Sequence, residues 1–297
     1  MINFTKYRKI YFIFSGVLII ASIVALIVFG LKLGIDLTGG SILEIEYKEQ
    51  RPSNPEIRED LSGFDLGTFY VQPTGDKGII LKMKDLSEEV HQQILVKLQE
   101  RDVGLEEKRF ESIGSAIGKE LKQKTIIVVG LALLAMIIYI ALAFRKVKRP
   151  IPSWQYGIVS VIALFHDIFI PLGVFAVLGK FYNVEISIPV ITALLAVLGY
   201  SINNTVVVYD RIRENLLKRG ETFEEIVDRS INQTLSRQIN TSLTTLFPVI
   251  AIFFLGGVTL KYFALALILG ILAGTYSSIF LAAPLLVFWY CRRRKGA

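Results

Sequence analysis

Apolar residues gather in six runs long enough to cross a bilayer, and polar residues lie mostly in the segments between them. A helical span needs about 20 apolar residues. The runs are Tyr11–Gly30, Thr125–Phe144, Ile158–Gly179, Ile188–Tyr209, Ser242–Gly257 and Phe263–Tyr290. The fifth is short unless Arg237–Thr241 belong to it, and the sixth is long enough to tilt or to run past the bilayer.

Between the first two runs the period changes. Ser41–Lys48 alternates apolar and polar residues as a half-buried strand does. Asn54–Leu61 follows Pro52-Ser53 and predicts a short helix. Thr68–Gln72 and Lys77–Lys84 alternate again around Pro73-Thr74-Gly75-Asp76, a hairpin signal. Ser87–Arg101 sets Val90, Ile94, Leu95 and Leu98 at helical spacing, with Ser87 as cap and Glu88 and Glu89 in the first turn. Glu106–Ser112 predicts a last strand. The order βαββαβ is the split, ferredoxin-like arrangement. The expected fold is therefore an α-helical polytopic membrane protein of six transmembrane helices with a small α+β ferredoxin-like domain. It divides into residues 1–32, an insert at 33–121, and a five-helix region at 122–297.

Composition agrees. A chain of 297 residues that is 53% hydrophobic, with mean hydropathy +0.52, falls in the membrane class. Its formal charge of +7 suggests nucleic acid until the bases are placed. Lys6, Arg8 and Lys9 precede the first run, and Arg145, Lys146, Lys148 and Arg149 follow the second. Arg211, Arg213, Lys218, Arg219 and Arg229 follow the fourth, and Arg292–Lys295 follow the sixth. Facing loops carry only Lys180 with Glu185, and Lys261. The bases are topology determinants, with both termini expected in the cytoplasm and the insert outside. Phe29-Gly30-Leu31-Lys32 lacks a small-x-small cleavage pattern, so the first run reads as a retained anchor. The insert itself holds 18 acids against 11 bases, an acidic solvated face or a surface for unfolded chain. His91, on a charged helix there, reads as a surface residue. The lone Cys291 excludes an intramolecular disulfide.

Candidate chemistry sits inside the spans. His166 and Asp167 lie near the middle of the third, where an ionisable group costs on the order of 3 kcal/mol and needs a partner or a water path. They are a proton-handling pair or a structural lock between helices. Asn203 and Asn204 lie in the inner third of the fourth span, and Arg237 leads into the fifth. Arg237, Thr241, Thr244 or Thr245, and Pro248 share a helical face, so guanidinium and amides are expected to meet at one depth. A snorkelling Arg237 is the other reading. Gly270 and Gly274 form a small-xxx-small packing face. Gly34–Gly40 reads GIDLTGG, where Gly34, Gly39 and Gly40 allow positive φ or close approach and Asp36 caps or braces the turn. No nucleotide loop, metal-spaced histidine pair or nucleophile–base set appears, so neither an enzyme nor a cofactor is expected.

Four blocks, GIDLTGG (Gly34–Gly40), ALFHD (Ala163–Asp167), GYSINNTVVVYDRIREN (Gly199–Asn215) and TLSRQINTSLTT (Thr234–Thr245), closely resemble, in this order and at these distances, the SecD/SecF family of the bacterial protein translocase. The resemblance covers essentially the whole chain. It implies half of a two-fold-symmetric transporter of the resistance-nodulation-division superfamily, paired with a SecD subunit beside the SecYEG channel in the inner membrane. Such a pair uses the proton gradient to help draw unfolded secretory polypeptide outward. Membrane lipid is the other expected partner, and nucleic acid is not one. The family pattern has Asn-Asp before the Thr-Val-Val run, whereas this chain has Asn203-Asn204. Asparagine cannot titrate, so either the proton path relies on Asp167 and on carboxylates of the partner, or this subunit is a weaker coupler. The alternative is half of a small-molecule or lipid exporter of the same superfamily, which a large apolar pocket in the insert would favour.

Overall fold

The computed structural model describes residues 2–144, 151–217 and 220–295. Arg145, Lys146, Lys148, Arg149, Lys218 and Arg219, expected to act as topology determinants, lie outside the described residues. Along the chain the elements are α1 (Arg8–Phe29, entered by a 3₁₀ turn), α2 (Ile35–Thr38), β1 (Gly40–Glu46) and α3 (Asn54–Asp60). Next come β2 (Tyr70–Thr74), β3 (Gly78–Met83), α4 (Glu88–Gln99) and β4 (Glu106–Ile113). The helical remainder is α5 (Ser115–Ala143), α6 (Ser153–Tyr182), α7 (Ile188–Asn215), α8 (Phe223–Leu255) and α9 (Val258–Tyr276), which runs through a π-helical stretch, Ser277–Ala282, into α10 (Ala283–Lys295). Two compact units result: Leu33–Ile127, and the residues before and after it.

The inserted unit is a four-stranded antiparallel sheet in the order β2-β3-β1-β4. Two helices complete the expected βαββαβ order. α3 starts at a capping box, in which Ser53 and Glu56 bond each other's backbone amides. α4 is capped by Ser87. Strand side chains Leu43, Ile45, Ile79 and Leu81 and helix side chains Ile57, Leu61, Ile94 and Leu98 are fully buried in one core. Burying each contributes roughly 1.5–3 kcal/mol. The hairpin differs slightly from expectation, because Pro73 and Thr74 close β2 and the turn falls at residues 75–77.

Two readings of this unit need correction. His91 is not a surface residue: it is 3% exposed, and its ring stacks on Phe110 at a centroid distance of 3.6 Å. It occupies the same stripe of α4 as Ile94, Leu95 and Leu98, so the sheet covers it. Its two ring nitrogens reach the rim, at 3.2 Å from Glu88 and 3.3 Å from Glu107. In the glycine motif, Gly34 is extended (φ −74°) and takes the N-cap of α2, with Asp36 in the first turn rather than at the cap. Gly39 and Gly40 do carry positive φ, +80° and +133°. A Cβ on Gly39 would lie 2.6 Å from Ser115 Cα, and one on Gly40 2.8 Å from the Met83 carbonyl. Gly118 completes the fit, since its Cβ would lie 2.4 Å from Gly39 N. The motif thus lets the backbone of α2–β1 press against the start of α5.

Among the described residues, six helices are long and apolar enough to cross a membrane: Thr5–Phe29, Ser115–Ala143, Ser153–Tyr182, Ile188–Asn215, Phe223–Leu255 and Leu260–Arg293. The fifth takes in Arg237–Thr241 and the residues before them back to Phe223, begun by a capping box between Thr222 and Glu225. Lipid is as apolar as leucine, so close approach and hydrogen bonds must hold such helices together. Glycine supplies the approach. A Cβ on Gly173 of α6 would lie 2.5 Å from Ser22 Cβ of α1, and one on Gly270 of α9 2.2 Å from Val197 Cγ2 of α7.

Candidate functional site: a buried carboxylate among four helices

Asp167 is wholly buried, as is His166 beside it on α6. Their side chains meet, His166 Nδ1 lying 2.9 Å from Asp167 Oδ1. The other carboxylate oxygen accepts two hydroxyls. Ser277 Oγ–H donates from the π-helical stretch at 2.7 Å, and Ser201 Oγ–H donates from α7. Gly274, one turn before Ser277, leaves room for this: a Cβ there would lie 3.1 Å from Ser201 Cβ and 3.5 Å from Asp167 Oδ2. α6 is locally loosened as well. Pro171 has no N–H to donate to the carbonyl of Asp167, four residues earlier. π-Helical stretches often mark functional positions, and this one turns Ser277 and Ser278 toward two different neighbours.

The second neighbour is another polar layer. Ser278 Oγ–H donates to Gln238 Oε1 at 2.7 Å, and Gln238 Nε2–H donates to Thr234 Oγ1 at 3.3 Å. Tyr200 O–H donates to Ser242 Oγ at 2.9 Å, and the Ser242 and Thr275 hydroxyls are 2.7 Å apart. Tyr200 and Ser201 are adjacent on α7, as Ser277 and Ser278 are on the sixth span. One layer holds the acid; the other is neutral and continuous along α8.

On the side toward the N-terminus, the His166 ring faces Tyr276 at 5.8 Å between centroids. Tyr276 O–H donates to the Tyr11 carbonyl of α1 at 3.2 Å and accepts from Ser15 Oγ at 3.3 Å. His166 Nε2 and Asn204 Nδ2 are buried without a hydrogen-bond partner among the described residues. Unpaired polar atoms in such a place are costly: the Asn204 amide N–H is a point where a water would be met, and His166 Nε2 one where a water or a proton would be.

The sequence-derived candidates divide. His166 and Asp167 are brought together and joined to two serines. Gly270 and Gly274 lie at the contact of α9 with α7. Asn204 is buried, but Asn203 is exposed, and so is Arg237. Neither amide meets the guanidinium among the described contacts. The expectation that they meet fails because of a one-residue rotation about α8. Thr234, Gln238 and Ser242 form its inward stripe, Arg237 and half-buried Thr241 fall one residue off it, about 100° away, and exposed Thr244 lies two residues beyond Ser242. Ser201, Ser277, Gln238 and Ser242 escaped the sequence reading. Ser201 could have been found three residues before Asn204, on the same α7 face, and Gln238 and Ser242 by testing the neighbouring i, i+4 series on α8.

Comparison with known proteins places these features in a family. Residues 93–292 match the model of protein export membrane protein SecD/SecF, C-terminal, and residues 24–50 match the SecD/SecF GG motif. A protein translocase subunit SecF of Thermobaculum terrenum is 40% identical over 302 residues, covering 97% of this chain and 94% of its own. That of Anaerolinea thermophila is 36% identical with the same coverage, 97% and 94%. Among solved structures, SecDF of Thermus thermophilus, a translocon-associated membrane protein, superposes with a TM-score of 0.82 at 34% identity over 98% of this chain. This chain spans 39% of that SecDF chain. SecDF in its super-membrane-facing form gives 0.70 at 35% identity, over 99% of this chain and 39% of its own.

Proposed function

This chain belongs to the SecD/SecF family of protein-export membrane proteins, and on that premise we propose that it is an accessory subunit of the Sec export machinery whose buried carboxylate couples proton movement to chain translocation. The observation that carries the coupling is Asp167, closed off from solvent and held by His166, Ser201 and Ser277 from three spans. A charge buried in a low-dielectric interior must be paired or neutralised. His166 and Asp167 can hold one proton between them in two ways, as imidazolium with carboxylate or as imidazole with carboxylic acid. The hydroxyls of Ser201 and Ser277 donate to the charged carboxylate and can turn to accept from the protonated one. Proton arrival therefore rearranges contacts among α6, α7 and the π-helical stretch.

The chain acts without bond-making chemistry of its own, beside a SecD-type partner, in the cytoplasmic membrane of a bacterium. Both termini lie in the cytoplasm and the βαββαβ unit lies outside, in accord with the positive-inside distribution of bases. The exporter reading has less support. A cleft on the inserted unit, about 420 Å³, is lined mainly by charged residues, Glu44, Glu46, Asp76, Lys77 and Lys108, with Ile45 the one large apolar residue among them.

Translocation into vesicles, with and without an imposed proton gradient, tests the coupling. Asp167→Asn keeps the shape but cannot exchange a proton, and it should cut the gradient-stimulated part of export at least ~10-fold, the upper reach of one lost proton-transfer group being larger still. Stimulation that survives in a folded Asp167→Asn protein would make Asp167 a structural lock and leave coupling to the partner.

A further inference from the structure

We propose that the end of the sixth span carries a binding site for an anionic phospholipid, distinct from the proton-handling layer. Two adjoining hollows share Trp289 and Arg292. The first, about 600 Å³, is lined by Pro152, Trp154, Gln155, Trp289, Arg292 and Arg293. The second, about 350 Å³, continues toward the interior of the span between Ile162 of α6 and Leu285 and Phe288 of α10. One is cationic and the other almost wholly apolar, and no acidic side chain lines either among the described residues.

That pairing has the dimensions and chemistry of a lipid seen end to end. Two adjacent guanidinium groups present planar donor forks suited to a phosphate. Gln155, 3% exposed, sits at the same level, where a glycerol or ester oxygen would need a partner. Trp154 and Trp289 meet edge to face at 5.3 Å and frame the entrance, the position amphipathic rings favour at a membrane interface. Beneath them the apolar trough receives an acyl chain. Trp154, Ile158, Ile162 and Phe165 are exposed along α6, which makes this a lipid-facing side of the bundle. Basic pockets between spans are known takers of anionic headgroups. A zwitterionic lipid would fill the trough equally well but would bring a quaternary ammonium against the arginines.

The chain's two tryptophans both stand at this site, so its intrinsic fluorescence reports on it directly. The full chain in mixed micelles is titrated with phosphatidylglycerol or phosphatidylcholine brominated on the acyl chain. Brominated phosphatidylglycerol should quench at a mole fraction at least about fivefold lower, the advantage expected of even one well-placed arginine. Arg292→Gln with Arg293→Gln should abolish that preference, and Arg292→Lys with Arg293→Lys should keep most of it. If the glutamine pair fails to fold, raising the salt concentration on the unaltered chain serves instead, because the preference should shrink as charge is screened. Equal quenching by the two lipids would reduce the site to ordinary bilayer contact and overturn the proposal. Absence of quenching by either would mean that protein covers the site, and would overturn it equally. Displacement of the brominated lipid by millimolar inorganic phosphate or glycerol 3-phosphate would assign the arginines to a soluble phosphate and overturn the lipid.

Discussion

At Asn204 a single amide separates this chain from the pattern its family leads one to expect. Its Nδ2 is buried without a partner among the described residues, and Arg237 is exposed rather than opposite it. Among the described residues an acid installed here would face no cation, one turn from Ser201 and so close to the layer that already holds Asp167. Asn204→Asp should therefore lower the unfolding midpoint in detergent, by the equivalent of about 1–3 kcal/mol for an unmatched buried polar group. It should not speed gradient-driven export. Faster export in that variant would show that a cation from elsewhere reaches residue 204. The contrast with Asp167 explains what was legible at this scale. An acid in the middle of an apolar run is conspicuous whatever surrounds it. Ser201 and Ser277 are not, because a serine in a span satisfies itself on its own helix as readily as it reaches across. His91 misled for the opposite reason: the charges that precede it on the helix, Glu88 and Glu89, suggest a solvated face, while Ile94, Leu95 and Leu98, three, four and seven places on, share its buried stripe.

Among the elements, the strands were read within a few residues and each span was found, because alternation and apolar length are local signals. The helices of the second and fifth spans, however, begin at Ser115 and Phe223, well before their apolar runs. The rotation of α8 was not read. Two candidate stripes, Thr234-Gln238-Ser242 and Arg237-Thr241-Thr244, run side by side, and only packing against α7 and α9 selects the inner one. The small-residue contact that sets this packing gives a test. Gly270→Ala puts a Cβ into the branched end of Val197, which has no long side chain to swing aside. The variant should unfold at lower temperature, with a loss of about 1–3 kcal/mol, and Val197→Ala should restore part of it. A neutral Gly270→Ala would mean that the helices part easily here. The inserted unit offers a pH test. The Gly104 amide, with those of Lys48 and Glu49, holds the Asp102 carboxyl below its ordinary range, and Ser53 does the same for Glu56. A carboxyl depressed on folding contributes fully above its unfolded pKa, about 4, and the contribution is lost as pH falls through the folded value. Amide protection at Lys48 and Gly104, corrected for intrinsic exchange, should hold from neutrality to about pH 4 and fall below it. Asp102→Ala should show the acid behaviour already at pH 7. Protection unchanged by the substitution would remove Asp102 from the account.

For the molecule as a whole, the unsolved matter is the polar surface that the membrane unit leaves uncovered. Asn203 on α7 and Arg237 and Asn240 on α8 are exposed in segments that belong to spans. Lipid tails offer such groups no hydrogen bonds, so in a membrane they need another protein or water. The opposite kind of surface is present too: Ile27 on α1 is 79% exposed and wholly apolar, as lipid contact requires. A SecD-type subunit against α7 and α8 would satisfy the amides and give Arg237 a carboxylate or carbonyl partner. Single cysteines at Asn203, Asn240 and Ile27, in a chain with Cys291 replaced by alanine, would locate it. On coexpression, Asn203→Cys and Asn240→Cys should form crosslinked adducts with the partner, and Ile27→Cys should not. Arg237→Leu should then raise the stability of the chain expressed alone, by removing an unmatched charge, while weakening its recovery with the partner. Arg237→Lys should recover only part, since an ammonium cannot reproduce the planar fork. Adducts at Ile27 alone would put the partner on the apolar side and turn the polar face into the wall of an aqueous path within this chain. In that case α8, not a second subunit, would have to carry whatever passes Asp167.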